Sequence, residues 1–237
     1  MGKAYTKDEL LTKVKEGLKP ETVSEFYKQD YINYTGNIPD SREKYTEVIA
    51  ECLLGNHSAL KKIEMITREG SYNTRHDWKP FDPVSPRTEE QIARSMLGKV
   101  YDYIGKIIDY QTPLKNVQGD VAGKIDLLSW NEAQGCAYIL ELKVQNSAET
   151  LLRCVLEIET YSRIVDSKKI LSDFGHEGST LRKAVLVYQN DNSRPHLDFI
   201  SDRNVKELMN TLGVDLFVLD ERGEKIIAAH YYEKLEV

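Results

Sequence analysis

The feature that most constrains this chain is a pair of neighbouring apolar segments, each interrupted by a carboxylate. Residues 125–130 and 136–144 read as two strands joined by a turn over residues 131–135. Side chains alternate faces along a strand. In the second segment Cys136, Tyr138, Leu140, Leu142 and Val144 therefore share one apolar face. The other face carries Ala137 and Ile139, then Glu141 and Lys143. If residues 132–135 form the loop, Asn131 pairs with Cys136 and Asp126 lies opposite Glu141. Opposed carboxylates repel, and when partly buried each raises the other's pKa. A divalent cation removes the conflict, because two carboxylates with Cβ atoms about 5 Å apart can grip one hard ion through oxygen. Lys143, on the same face as Glu141, is placed to steady a developing negative charge or to position a water. The set suits metal-assisted hydrolysis of a phosphodiester.

The flanking segments predict a helix over Thr88–Ile108, a weak strand before Gly119, and a long helix from Asn146 to about Val165 with Glu149 in a capping-box position. Ala184–Tyr188 reads as a strand, residues 202–212 as a helix, and Val214–Leu219 and Lys225–Ala229 as a closing pair of strands. Residues 1–86 read as helical. Thr6–Leu18 opens with a Thr6/Glu9 capping box, and Glu21–Tyr31, Ser41–Leu54 and Leu60–Thr67 follow. The turn-rich stretch 70–86 contains Pro80, Pro83 and Pro86 and marks a boundary. The expectation is an N-terminal helical region over 1–86 and an α/β domain over 87–237.

Asp126, fourteen intervening residues, and then Glu141-Leu142-Lys143 resemble the signature of the PD-(D/E)XK nuclease superfamily. The order of elements from Thr88 to Tyr188 is similar to that family's restriction-endonuclease-like core, a mixed central sheet flanked by helices in the order αβββαβ. The resemblance implies that Asp126, Glu141 and the Leu142 carbonyl hold Mg²⁺ or Mn²⁺ and that Lys143 serves the attacking water. It implies a nuclease acting on nucleic acid, with DNA as the favoured form. Ile125 stands where the family signature has proline. Glu157-Ile158-Glu159-Thr160-Tyr161 resembles the Gln-x-x-x-Tyr motif of exonuclease-like members, with Glu for Gln, and Arg153 falls on the same helix face. Glu157 and Tyr161 are then expected to orient Lys143 or to contact a phosphate. The family's first helix often adds an acid to the metal site, for which Glu89 and Glu90 are the candidates, Glu89 slightly ahead. The competing expectation is a non-catalytic nucleic-acid- or protein-binding module on the same scaffold.

Composition narrows the field. Of 237 residues, 41% are hydrophobic and 30% charged, which suits a folded soluble domain rather than a disordered one. The formal charge of -6 excludes a protein that coats nucleic acid through net basicity. No apolar run approaches the roughly 18 residues of a membrane span, and Met1–Leu11 is too polar for a signal peptide, so a cytoplasmic protein is expected. Cys52, Cys136 and Cys154 are too widely spaced for a zinc ribbon. Residues 61–79 hold five basic and three acidic side chains with Tyr72 and Trp78, the best local candidate for a phosphate-facing surface. Gly119 to Lys124 lacks the spacing of a phosphate loop. His176, in a glycine-bearing loop, is a weaker candidate for substrate contact, and Tyr101, Tyr103, Tyr110 and Tyr161 for base stacking.

Overall fold

The computed structural model describes residues 4–77, 88–115, 123–145, 147–188, 202–222 and 225–232. Helix α1 (Lys7–Gly17) opens on the expected capping box: the Thr6 hydroxyl accepts from the Glu9 amide, and the Glu9 carboxylate accepts from the Thr6 amide. Helix α2 (Tyr45–Asn56) starts later than its apolar pattern suggests, because residues 38–43 form a tight turn with Arg42 at φ 64°. The helices expected over Glu21–Tyr31 and Leu60–Thr67 are instead 3₁₀ turns, Val23–Lys28, Asp30–Asn33 and His57–Lys62. Three residues per turn stack Val23 on Phe26 and turn both into the core.

Seven strands form one sheet in chain order among the described residues: β1 (Val100–Tyr101), β2 (Gly105–Pro113), β3 (Lys124–Asn131), β4 (Cys136–Leu142), β5 (Thr180–Tyr188), β6 (Val214–Arg222) and β7 (Lys225–Tyr231). The ladders β4–β5 and β5–β6 are parallel and the others antiparallel. Helices α3 (Thr88–Met96), α4 (Leu151–Ile164), α5 (Ser167–Asp173) and α6 (Arg203–Leu212) complete the fold. The architecture is therefore mixed α/β, a seven-stranded mixed sheet flanked by helices. The edge strands β1 and β7 approach within 8 Å between Cα atoms, so the sheet curls towards a barrel.

Two expectations for this half are corrected. The helix expected over Thr88–Ile108 stops at Met96, and residues 100–113 are strand. Gly98 takes φ 79°, a left-handed conformation that ends the helix. The apolar spacing of Val100 and Ile104 matched a helical period, but β-branched residues at 100, 104, 107 and 108 favour the pleated sheet that won. The long helix expected from Asn146 begins only at Leu151. Its N-cap is Thr150, whose hydroxyl accepts from the Arg153 amide at 3.2 Å, and Glu149 forms no capping box there.

Both sheet faces are covered. On one, α4, α6 and the N-terminal helices pack on Ile139, Val185, Val187 and Val218. On the other, α3 and the curled sheet enclose Tyr138, Leu140, Leu142, Leu186 and Phe217. Strand β4 is buried throughout, as befits the strand between β3 and β5. The N-terminal region belongs to the first core and also grips the start of α4. The Thr150 hydroxyl donates to the Ile32 carbonyl at 2.8 Å, and its amide donates to Asn33 Oδ1 at 3.0 Å. Thr150→Ala removes a buried cap and leaves the Ile32 carbonyl without its donor. It should lower unfolding free energy by about 1–3 kcal/mol in urea titrations. A variant indistinguishable from wild type would contradict this role.

Candidate functional site

The β3–β4 hairpin has the register expected from its sequence. Residues 132–135 form the turn, Asn131 pairs with Cys136, and the ladder runs on to Leu127 opposite Leu140. The next opposed positions are Asp126 and Glu141. Both side chains are almost wholly buried, and so is Lys143 just beyond the strand. Asp126 is fixed from two sides: the Leu142 amide donates to Oδ2 at 2.9 Å and the Gln111 amide group donates to Oδ1 at 3.0 Å. Gln111 holds φ 50°, a conformation that costs a non-glycine residue on the order of 1 kcal/mol and is often stored at functional sites. Lys143 Nζ lies 2.6 Å from Glu141 Oε1, 2.7 Å from Glu149 Oε2 and 3.9 Å from Glu89 Oε2.

Helix α4 supplies the opposite wall. Glu149, just before its cap, and Arg153, Glu157 and Tyr161 recur every four residues and so share one face. Arg153 Nε pairs with Glu149 Oε1 at 2.8 Å, and the Tyr161 hydroxyl donates to Glu157 Oε1 at 2.8 Å. Glu141, Glu149 and Glu157 each offer an oxygen within 4.8 Å of the others, an arrangement able to hold a metal ion. A cavity of about 530 Å³ is lined by Glu89, Gln111, Lys124, Asp126, Glu141, Lys143, Ser147, Glu149, Glu157 and Tyr161. Five carboxyl groups therefore face two lysines.

The electrostatics follow from that imbalance. Burial, and next the nearby Glu89 carboxylate, push Asp126 up to about 8 against the opposing pull of Lys143. Burial and the Asp126 charge raise Glu141 well above the usual carboxylate range. Burial also raises Glu89. For Lys143 burial acts downwards, but Glu141 and the other acids outweigh it and keep the ammonium charged.

The structure thus brings Asp126, Glu141, Lys143, Glu157, Tyr161 and Glu89 to one cavity, with the Leu142 backbone bonded to Asp126. Glu90 does not line that cavity. Lys143 pairs with Glu141, Glu149 and Glu89 among the described residues, and Glu157 is held by Tyr161 instead. Two participants were missed. Glu149 is legible as one more four-residue step back from Arg153, but its position before the helix suggested a cap. Gln111 fell in a segment with only a weak strand signal.

Other candidates go elsewhere. Tyr72 is fully buried, where its hydroxyl donates to the Ile66 carbonyl and accepts from the Asp166 amide, so it offers no face for base stacking. Lys61 and Lys62 are exposed, whereas Trp78 and Lys79 lie outside the described residues. Tyr101 and Tyr110 are buried and Tyr103 is half-buried. His176 stacks on Trp130 at 3.8 Å, four residues along β3 from Asp126 and about 13 Å away at strand rise. Most of the Gly119–Lys124 segment lies outside the described residues. Its last glycine has a different use: a Cβ on Gly123 would come within 2.0 Å of the Tyr161 hydroxyl.

No protein-family model, no curated protein and no solved structure matches this chain. No described helix is long and apolar enough to cross a membrane. The functional reading therefore rests on the site itself.

Two tests follow from this geometry. Gly123→Ala should displace the Tyr161 ring, seen as a changed tyrosine environment in near-ultraviolet circular dichroism, and an unchanged spectrum would contradict the close approach. The second concerns pH. An Asp126 carboxyl held near 8 keeps in the folded state a proton that the unfolded chain releases near pH 4. In a chelating buffer its contribution to stability is full below about pH 4 and lost as pH rises to about 8. Asp126→Asn removes that contribution and should flatten the decline of Tm over this window. A variant profile parallel to wild type would refute the assignment.

Proposed function

We propose that this chain is a divalent-metal-dependent nuclease that hydrolyses phosphodiester bonds in nucleic acid, DNA foremost, on a restriction-endonuclease-like core. The observation that carries the reading is the buried Asp126–Glu141 pair, opposed on adjacent strands beside Lys143 at an open cavity with more carboxyl groups than cations. The order α3, antiparallel β2–β3–β4, α4 and then β5 parallel to β4 supports the PD-(D/E)XK assignment, with β1 and α5 as additions.

The donor set fits Mg²⁺ or Mn²⁺. Its charged donors are carboxylate oxygens, the preference of hard cations, and no thiol or imidazole lines the cavity. Their mutual repulsion holds protons that a cation would displace. Asp126, Glu141 and the Leu142 carbonyl would hold the ion, with Glu89, Glu149 and Glu157 available to it or to its waters. A cation there supplies Lewis-acid polarisation of a phosphoryl oxygen and acidifies a water.

The chain's own groups account for the rest. The Leu142 N–H and the Gln111 amide fix the Asp126 carboxylate in one orientation. Lys143, a charged ammonium in a buried site, stabilises negative charge as it develops on phosphate, where low dielectric strengthens the interaction. Its pairing with Glu141 and Glu149 holds it in place until a phosphate competes for it. The Tyr161 hydroxyl fixes Glu157 on the far wall.

Asp126→Ala and Glu141→Ala should each reduce Mg²⁺-dependent cleavage of labelled single- or double-stranded oligonucleotides by at least about 100-fold, with the fold retained. Lys143→Met should cost about 100-fold or more in kcat. Wild-type-like cleavage by either carboxylate variant would refute the site. Oligonucleotide binding without cleavage by the intact protein would favour the non-catalytic module.

A further inference from the structure

The N-terminal region does more than cover the sheet: one of its side chains reaches the back of the cavity. Tyr27 sits in the 3₁₀ turn Val23–Lys28, is 3% exposed, and does not line the cavity. Its hydroxyl lies 3.4 Å from the Tyr161 hydroxyl, and the two rings pack edge to face with centroids 5.9 Å apart. The Tyr161 O–H is donated to Glu157 Oε1, so the Tyr161 oxygen remains to accept from Tyr27. The bonds then run in one direction, from Tyr27 to Tyr161 to Glu157. A second connection leaves the same residue. Arg153 Nη1 donates to the Tyr27 carbonyl at 3.3 Å, and the guanidinium lies 5.8 Å from the centre of the Tyr27 ring. The Arg153 Nε pairs with Glu149, whose other oxygen pairs with Lys143.

We infer that Tyr27 is a positioning residue for the cavity: through Tyr161 and Arg153 it sets the orientations of Glu157 and Glu149, two members of the Glu141–Glu149–Glu157 cluster. The inference rests on the functional reading above and deepens it, by making the N-terminal region part of the working site. The physical basis is that a carboxylate held by a preoriented donor keeps one rotamer, and ligands so held bind metal more tightly than free ones. Tyr161 alone cannot hold its hydroxyl direction as firmly, since its ring rotates about two bonds. The Tyr27 hydroxyl on one side and the Gly123 backbone on the other confine it.

The test is a double-mutant cycle on the full chain, read by calorimetric titration of Mn²⁺ and by oligonucleotide cleavage. Tyr27→Phe keeps the ring and removes one hydroxyl, so the fold should survive. Tyr161→Phe should weaken Mn²⁺ binding about tenfold and Tyr27→Phe about fivefold. The double variant should be no worse than Tyr161→Phe, because Tyr27 acts through Tyr161. Tyr31→Phe serves as control. It removes another buried N-terminal hydroxyl, one that donates to the Lys13 carbonyl, and should leave Mn²⁺ affinity unchanged. In the cleavage assay Tyr27→Phe should lower kcat and spare KM for the oligonucleotide. A silent Tyr27→Phe, additive losses in the double variant, or an equal loss in Tyr31→Phe would overturn the inference while leaving the nuclease reading intact. A wild-type chain that neither binds Mn²⁺ nor cleaves would overturn both.

Discussion

Two carboxylates buried side by side in one hairpin are the constraint around which this structure is built. Asp126 and Glu141 fall opposite one another because the β3–β4 turn fixes the register, and a slip of one residue would move both to the other face. Burial makes their charge costly, and the surroundings answer that cost in specific ways. Asp126 receives two N–H donors, Glu141 receives the Lys143 ammonium, and protonation remains favourable at neutral pH. A hydrophobic pair at these positions would pack more stably. The arrangement makes sense as a holder for a cation, which strengthens as the competing protons leave.

The same constraint organises the elements around the hairpin. Helix α4 presents Glu149, Arg153, Glu157 and Tyr161 to the cavity at four-residue intervals, while its opposite side joins the core through Leu152, Val155 and Ile158. The Thr150 cap, held by Ile32 and Asn33, sets where that face begins. The N-terminal region thus anchors the helix at its start and reaches its middle through Tyr27. Strand β2 contributes the Gln111 amide group from a left-handed backbone position. Local strain in β2 and a close glycine contact at the entry to β3 are both spent on the geometry of two side chains, Asp126 and Tyr161.

Much of this was legible in the sequence. Strict alternation in residues 136–144 and a four-residue turn placed Asp126 against Glu141 without any coordinates. Four-residue spacing put Glu157 and Tyr161 on one helix face. The parts that were not legible fail for physical reasons. Val100 and Ile104 fit a helical period as well as a strand, and only the left-handed Gly98 and the pairing with β3 decide between them. Glu149 has the spacing of a capping partner for Asn146 until tertiary contacts to Ile32 and Asn33 select Thr150 as the cap. Tyr27 is 134 residues from Tyr161 in the chain, and no local pattern records such a contact.

The central claim is that the buried carboxylates form a divalent cation site. The most direct test is a crystal grown or soaked with Mn²⁺ and measured at a wavelength that makes manganese anomalous. The account predicts an anomalous peak inside the cavity, within about 2.5 Å of oxygens from both Asp126 and Glu141. A cavity without a peak in Mn²⁺-saturated crystals, or a peak that touches neither residue, would contradict it.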